Sequence, residues 1–212
     1  MEKAMLKKLF SRNKKPAERQ LDKPNQLLTG DMVSLKYRDE LPPELREQSL
    51  EVIQVGTYEY ASGTNKEVIL KNESNQLFFM GMDNNDGEIT LCFSRKITRN
   101  ELFTFIDEES FAQLWSEDWP TLHVQNPPAD LTGWLSTAYQ QNVKEQEAYY
   151  YDRDCQAEDL SLAEDGEELR IHECEGDDCF GLGVEVSEDG TTEIFLQVYC
   201  PVDVIEQMWP HN

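Results

Sequence analysis

Apolar and polar positions alternate with a period of two along much of the chain, which is the pattern of strands with one buried face. In the first half, strand-like segments follow Gly30-Asp31 and then lie at 50–60, 66–71, 76–82 and 88–95. In the second half they lie at 149–151, 167–174, 179–187 and 192–199. Turn-forming pairs such as Asp-Gly separate several of these segments and favour hairpins. The pattern therefore predicts two antiparallel β meanders.

A different signal begins at Thr98. The run from Thr98 to Glu101 fits the capping box, in which a hydroxyl and a carboxylate each satisfy a free backbone N–H at a helix start. It predicts a short helix over 98–105. A second short helix is predicted from Glu108 to Trp115, because Trp119-Pro120 would stop it soon after.

Two further helices are predicted in the second half. Apolar residues recur at helical spacing at Leu131, Trp134, Leu135, Ala138 and Val143. With Asp130 as an N-cap, they predict the longest helix of the chain, over 131–146. Pro201 at a helix start predicts a short closing helix up to Trp209-Pro210.

These elements define an α+β fold class, made mainly of antiparallel β meanders with short capping helices. We divide the chain into 1–24 (basic leader and linker), 25–120 (first β-rich half with two short helices) and 121–212 (linker, helix 131–146 and second meander half). The hairpins at 77–93 and 182–198 share a pattern, and each precedes a short predicted helix. They suggest two pseudo-repeated halves, although two acidic hairpins can also look alike without common descent.

Charge is distributed unevenly along the chain. The formal net charge is −23, whereas residues 1–20 hold seven Lys or Arg against two Glu, which is +5 and leaves −28 for the rest. Such a body repels phosphate, so we expect no direct nucleic-acid binding by it. An acidic body could instead imitate the phosphate rows of a nucleic acid and block a DNA-binding protein; a solubility role explains the composition equally well.

The basic leader is amphipathic. It combines basic residues with an apolar helical face, and its candidate contact residues for an anionic membrane or a partner are Lys3, Lys7, Lys8, Leu6, Leu9 and Phe10. The alternative is an unfolded leader, because so short a helix is marginal in water.

The expected location is the cytoplasm, with peripheral contact at the inner membrane as a further expectation. No apolar run approaches the roughly 20 residues that cross a bilayer, and residues 1–19 lack the apolar centre and cleavage site of a secretory signal. The five cysteines are an odd number and widely spaced, which favours reduced thiols.

Soft metal ligands gather in one place, at His172, Cys174 and Cys179. Zinc normally takes four ligands, and no fourth is evident, so these are weak candidates. Two of them could simply face each other across a turn. No nucleophile elbow and no Gly-rich phosphate loop occurs, so we predict no catalytic residue and no cofactor.

Carboxylates form runs at 164–168, 173–178 and 188–189. Charge runs are usually solvated surface. An enzyme with an acidic site would instead require two of these carboxylates to converge in a pocket with raised pKa values.

Several segments resemble an uncharacterised bacterial family. These are the lysine-rich leader, Leu27–Val33, the strand Leu77–Met82 with its Asp-Gly hairpin, and the terminal Met208-Trp209-Pro210. They are similar to the domain of unknown function 4178, or to related proteins encoded beside phage-shock-protein-A-like genes. The resemblance implies an accessory role near the bacterial envelope and carries no site residue.

The sequence thus favours a bacterial cytoplasmic protein that is a non-enzymatic protein-binding or adaptor module, with a protein partner and weak anionic membrane contact through the leader. The alternatives are an enzyme with an unrecognised acidic site and the acidic nucleic-acid mimic.

Overall fold

A computed structural model describes residues 19–85, 88–177 and 179–211. Within these ranges the chain folds mainly as antiparallel strands, with two short α-helices, and this confirms the predicted β-rich α+β class. The strands are β1 Met32–Leu35, β2 Ser49–Tyr60, β3 Gly63–Lys71, β4 Leu77–Asn85, β5 Glu88–Ile97, β6 Thr121–His123, β7 Ala138–Tyr151, β8 Glu167–Gly176, β9 Phe180–Ser187, β10 Thr192–Pro201 and β11 Ile205–Trp209. The helices are α1 Arg99–Leu102 and α2 Glu108–Ala112. None of the described helices is long and apolar enough to cross a membrane.

Eight of the strands close into a barrel. Strands β2 to β5 form one meander and β7 to β10 form another, and β5 pairs with β10. The end of β2 pairs with β7, where Thr57 lies opposite Tyr151, and this pairing closes the ring. Because every neighbouring pair is antiparallel, short turns can connect neighbouring strands within a meander, whereas the β7–β8 connection is longer and covers residues 152–166. Strands β1, β11 and β6 extend the sheet outside the ring.

Strand β2 can belong to both the ring and the extension because it is long and bulged. Its start pairs with β1, where Val33 lies opposite Leu50. The register against β3 shifts between Val52 and Gln54. Since a bulge increases the local twist, the remainder of β2 turns away from β1 and reaches β7.

The two faces of the barrel wall differ in character. Along β3, Glu67 and Ile69 line the barrel interior, while the alternating Val68 and Leu70 are fully buried on the other face. The main apolar core therefore lies outside the barrel, between its outer face and the segments that cross it. Those segments contribute Leu41, Leu45, Leu102, Phe105, Ile106, Phe111, Leu114, Leu131 and Trp134 to the core.

Both short helices predicted after β5 are present, and the first is shorter than the predicted 98–105, since it ends at Leu102. The N–H of Glu101 donates to Thr98 Oγ1 at 3.2 Å, and the N–H of Thr98 donates to Glu101 Oε2 at 2.7 Å, which is the predicted capping box. Helix α2 begins after Asp107 and continues as a 3-10 turn to Trp115.

The helix predicted over 131–146 is wrong. A 3-10 turn covers Ala129–Leu131, and strand β7 begins at Ala138. The register of β7 against β8 shifts twice, between Gln141 and Val143 and again before Gln146. These bulges break the period of two. Leu131, Trp134 and Leu135 lie before β7, so the helix-like spacing combines residues of a turn with residues of a bulged strand.

The predicted closing helix is also wrong beyond its first turn. Val202–Val204 forms a 3-10 turn, and the chain then continues as β11. Strand β11 pairs with β1, where Val33 lies opposite Met208. The hydrogen bonds to β1 outweigh the weak helical signal of so short a segment. Likewise, the linker predicted at the start of the segment 121–212 contains the short strand β6.

Candidate functional site

The interior of the barrel contains two adjoining cavities of about 330 and 370 Å³. The first, or upper cavity, has wall residues from all eight barrel strands and reaches Ser62 in the β2–β3 turn. The second, or lower cavity, reaches Thr191 in the β9–β10 turn. Four residues line both cavities and form what we call the waist: Tyr58, Glu67, Glu185 and Phe195.

Two carboxylates of the waist come from opposite meanders, Glu67 from β3 and Glu185 from β9. The hydroxyl of Tyr58 donates a hydrogen bond to Glu185 Oε1 at 2.9 Å. The hydroxyl of Tyr150 donates one to the carboxylate of Glu67. Each acid therefore has a tyrosine as its hydrogen-bonding partner.

Tyrosine rings surround these carboxylates. The rings of Tyr58 and Tyr150 lie 4.9 Å apart, and those of Tyr58 and Tyr60 lie 6.1 Å apart and nearly parallel. Gly56 on β2 makes room for this cluster, because a Cβ there would lie 2.4 Å from the Tyr150 hydroxyl. Burial raises the pKa of Tyr58, and the nearby charges of Glu67 and Glu185 raise it further, so its hydroxyl stays a donor.

The electrostatics of the waist favour protonated acids. Burial raises the pKa of Glu67 to about 8, and the charge of Glu185 adds to the effect. Burial also raises the pKa of Glu185 to about 7, with a contribution from Glu193. Both acids therefore keep protons at a pH where exposed carboxyl groups have lost theirs. A positive charge placed between them would stabilise their ionised forms.

No basic side chain of the described residues forms an ion pair with either acid of the waist. Lys66 is in the wall, but its ammonium group lies on the outer face, 2.6 Å from Asp154 Oδ2 and 3.0 Å from the carbonyl oxygen of Asn25. Lys96 lowers the pKa of Glu185 but is paired with Glu193. The waist thus keeps a net negative charge whenever its acids ionise.

The upper cavity is polar away from the waist as well. Burial and the charge of Asp83 raise the pKa of Glu173. The hydroxyl of Tyr199 donates to Gln197 Oε1 at 3.2 Å. Burial raises the pKa of the Cys92 thiol to about 12, so this cysteine is not an activated nucleophile.

The carboxylate runs singled out in the sequence are divided between the cavities and the surface. Glu173 lines the upper cavity, whereas Glu167 and Asp189 line the lower one. Glu175 and Asp177 are exposed. The convergent pair with strongly raised pKa values is instead Glu67 and Glu185, which lie outside those runs and which the sequence pattern does not single out.

The candidate metal ligands lie outside the barrel interior. His172 and Cys174 are buried on the outer face of β8, and Cys179 precedes β9. His172 Nε2 lies 3.0 Å from Glu145 Oε1 but without the geometry of a hydrogen bond. Burial lowers the pKa of His172. In the described ranges no group of three or more His, Cys, Asp or Glu residues could hold a metal ion.

The six contact residues predicted in the leader, Lys3, Lys7, Lys8, Leu6, Leu9 and Phe10, fall outside the described residues.

The fold and the site together define a closed antiparallel β-barrel with an acidic, tyrosine-lined interior. The chain matches no protein-family model, no curated protein and no solved structure.

Proposed function

We propose that this protein is a non-enzymatic binding protein that holds a small molecule inside its barrel. The observation that carries the proposal is the pair of adjoining cavities within the ring. Small-molecule sites commonly occupy roughly 300–1,000 Å³, and the interior of an eight-stranded barrel is wide enough for one small ligand. Side chains do not fill this interior, in contrast to the well-packed apolar core outside it.

Glycine is part of what keeps the interior open. A Cβ at Gly81 on β4 would have only the Cβ of Cys92 within van der Waals range, at 3.9 Å. The main chain there tolerates a side chain, yet the sequence supplies none. A side chain at position 81 would extend into the upper cavity.

The variant Gly81→Phe tests this proposal. We expect it to fold with an unchanged far-ultraviolet circular dichroism spectrum and to lose small-molecule binding by at least about tenfold, because the ring displaces ligand from the upper cavity. A panel of amines, sugars, carboxylic acids and nucleosides is first screened for compounds that raise the melting temperature of the protein. Calorimetric titration then measures how tightly each of these compounds binds the unmodified protein and the variant. The matched control is Glu206→Phe, which places the same ring on the exposed edge strand β11.

Two outcomes would contradict the proposal. One is a panel in which no compound stabilises the protein. The other is a compound that binds the folded Gly81→Phe variant as tightly as it binds the unmodified protein, since its site would then lie elsewhere.

The pseudo-repeat is a second proposal about the origin of this architecture. It is supported by topology, because β2 to β5 and β7 to β10 occupy equivalent positions in the ring. The hairpins compared in the sequence correspond to β4–β5 and β9–β10, and each is followed by a short helical turn, α1 in one case and Val202–Val204 in the other. The ligand site would then lie on the approximate twofold axis between two related halves.

The protein partner and the family resemblance stay predictions from the sequence. Large apolar side chains on the outer surface, among them Trp119 and Leu162, offer contact area for a partner.

The membrane contact of the leader has a direct test. Deleting residues 1–20 is expected to abolish cosedimentation with vesicles rich in phosphatidylserine, because the remaining chain carries a formal charge of −28 against +5 in the deleted segment. A full-length variant with Lys3, Lys7 and Lys8 changed to Gln should also lose most of its binding to these vesicles. Undiminished sedimentation of the truncated protein would eliminate the tether.

A further inference from the structure

The charge balance of the barrel interior narrows the chemistry of its ligand. Carboxylates occur at three levels along the interior: Glu173 in the upper cavity, Glu67 and Glu185 at the waist, and Glu167 in the lower cavity. The basic residues described in the wall, Lys66 and Lys96, are already engaged with other carboxylates. Isolated buried charges are costly unless they are paired. A cationic ligand would provide the missing partner.

The surroundings of the waist carboxylates suit an ammonium group. Both acids keep surface that faces the cavities, while protein atoms surround their carboxyl groups. Tyr58, Tyr60 and Tyr150 line the same cavities, and the π face of an aromatic ring attracts a cation.

An organic cation fits this interior better than a metal ion does. The described residues provide no group of three or more side chains arranged to hold a metal. The cavities, at about 330 and 370 Å³, are far larger than a metal ion and meet at the four shared residues of the waist. The interior is elongated and has acidic groups at successive levels. A linear molecule with several separated positive charges matches that arrangement.

We propose that the ligand is a linear aliphatic polyamine that lies along the barrel interior, with one ammonium group between Glu67 and Glu185. This inference rests on the proposed function and deepens it. The alkyl segments would contact the apolar wall residues Ile171 in the upper cavity and Leu169 in the lower cavity. The remaining ammonium groups would approach Glu173 above the waist and Glu167 below it.

The test is calorimetric titration of the full chain with spermidine at pH 8 and moderate salt. We expect a one-to-one complex with the unmodified protein and at least a roughly 30-fold weaker one with the double variant Glu67→Gln/Glu185→Gln. Glutamine has nearly the shape of a protonated glutamate, so the variant should fold. The control Glu117→Gln/Glu206→Gln removes the same formal charge from exposed positions and should bind within about twofold of the unmodified protein.

Further probes separate this chemistry from general attraction to an acidic protein. The neutral chain 1,8-octanediol should not bind, and magnesium ions should not compete with spermidine beyond their effect on ionic strength. Equal weakening in the interior and surface double variants would overturn the polyamine inference, as would equal competition by magnesium. Suppose that a sugar or carboxylic acid binds the unmodified protein but not the Gly81→Phe variant, and that spermidine binds neither. The ligand-binding function then stands and the polyamine assignment falls. If neither class binds, both fall.

Discussion

Between pH 6.5 and pH 9 the ligand-free protein is expected to lose about 3 kcal/mol of its free energy of unfolding. Burial raises the pKa of Glu67 to about 8 and that of Glu185 to about 7 in the folded state. In the unfolded chain both acids have ordinary values near 4.5. The folded protein therefore holds protons that the unfolded chain has already released.

The sign follows from that difference in proton binding. A raised acid contributes its full stabilisation below its unfolded pKa, near 4.5, and this contribution is lost as the pH rises to and through the folded pKa. The window above pH 6.5 also avoids the opposing contribution of His172, because burial lowers the pKa of that residue. Buried tyrosines such as Tyr58 have pKa values raised above 10 and titrate beyond the window.

Urea unfolding at constant ionic strength measures the effect. The variant Glu67→Gln/Glu185→Gln should show a much shallower dependence on pH, with a residual slope near pH 9 from buried thiols such as that of Cys92, and should be more stable than the unmodified protein at pH 9. The exposed control Glu206→Gln should keep the full slope. Parallel slopes in the unmodified protein and the interior double variant would show that these two acids do not titrate in this window. Saturating spermidine should also flatten the slope, since an ammonium group favours the ionised acids.

The strand pattern could be predicted because each meander has one apolar and one polar face. Val68 and Leu70 alternate with Glu67, and this pattern gives the strand correctly. Alternation alone does not distinguish a solvated face from the inside of a polar barrel, so it does not reveal that the polar face is internal. Closure depends on the pairing of Thr57 with Tyr151, about ninety positions apart, and no local signal encodes such a contact.

The candidate site is hidden in the sequence for the same reason. Carboxylates attract notice when they occur in runs, whereas Glu67 and Glu185 lie on separate meanders and outside those runs. A single glutamate between valines, as in Val184-Glu185-Val186, is the available signal. Whether such a glutamate faces another acid across the barrel depends on the register of strands that are distant in the sequence.

The second large effect concerns Trp134, which belongs to the wrongly predicted helix 131–146. In the structure Trp134 is fully buried in the segments that cross the outer face of the barrel, which we call the cover. Its ring is stacked on that of Phe78, with ring centroids 6.1 Å apart. Its indole N–H donates to Glu44, which also accepts from Arg95 and, at 3.1 Å, from Gln76. One carboxylate thus joins the cover to the outer face of β5.

Replacing Glu44 with alanine is expected to lower the free energy of unfolding by about 3 kcal/mol, because a buried N–H would lose its acceptor and the largely buried guanidinium of Arg95 would lose its ion-pair partner and keep only the carbonyl oxygen of Asp130. Urea unfolding at pH 7 is the measurement. Glu44→Gln keeps an acceptor for the indole and should lose less. The matched control, Glu51→Ala, removes a half-exposed ion pair with Lys71 and should cost about 0.5 kcal/mol or less. Equal losses in Glu44→Ala and Glu51→Ala would mean that the cover is held by apolar packing alone, and that Glu44 is as dispensable as a surface charge.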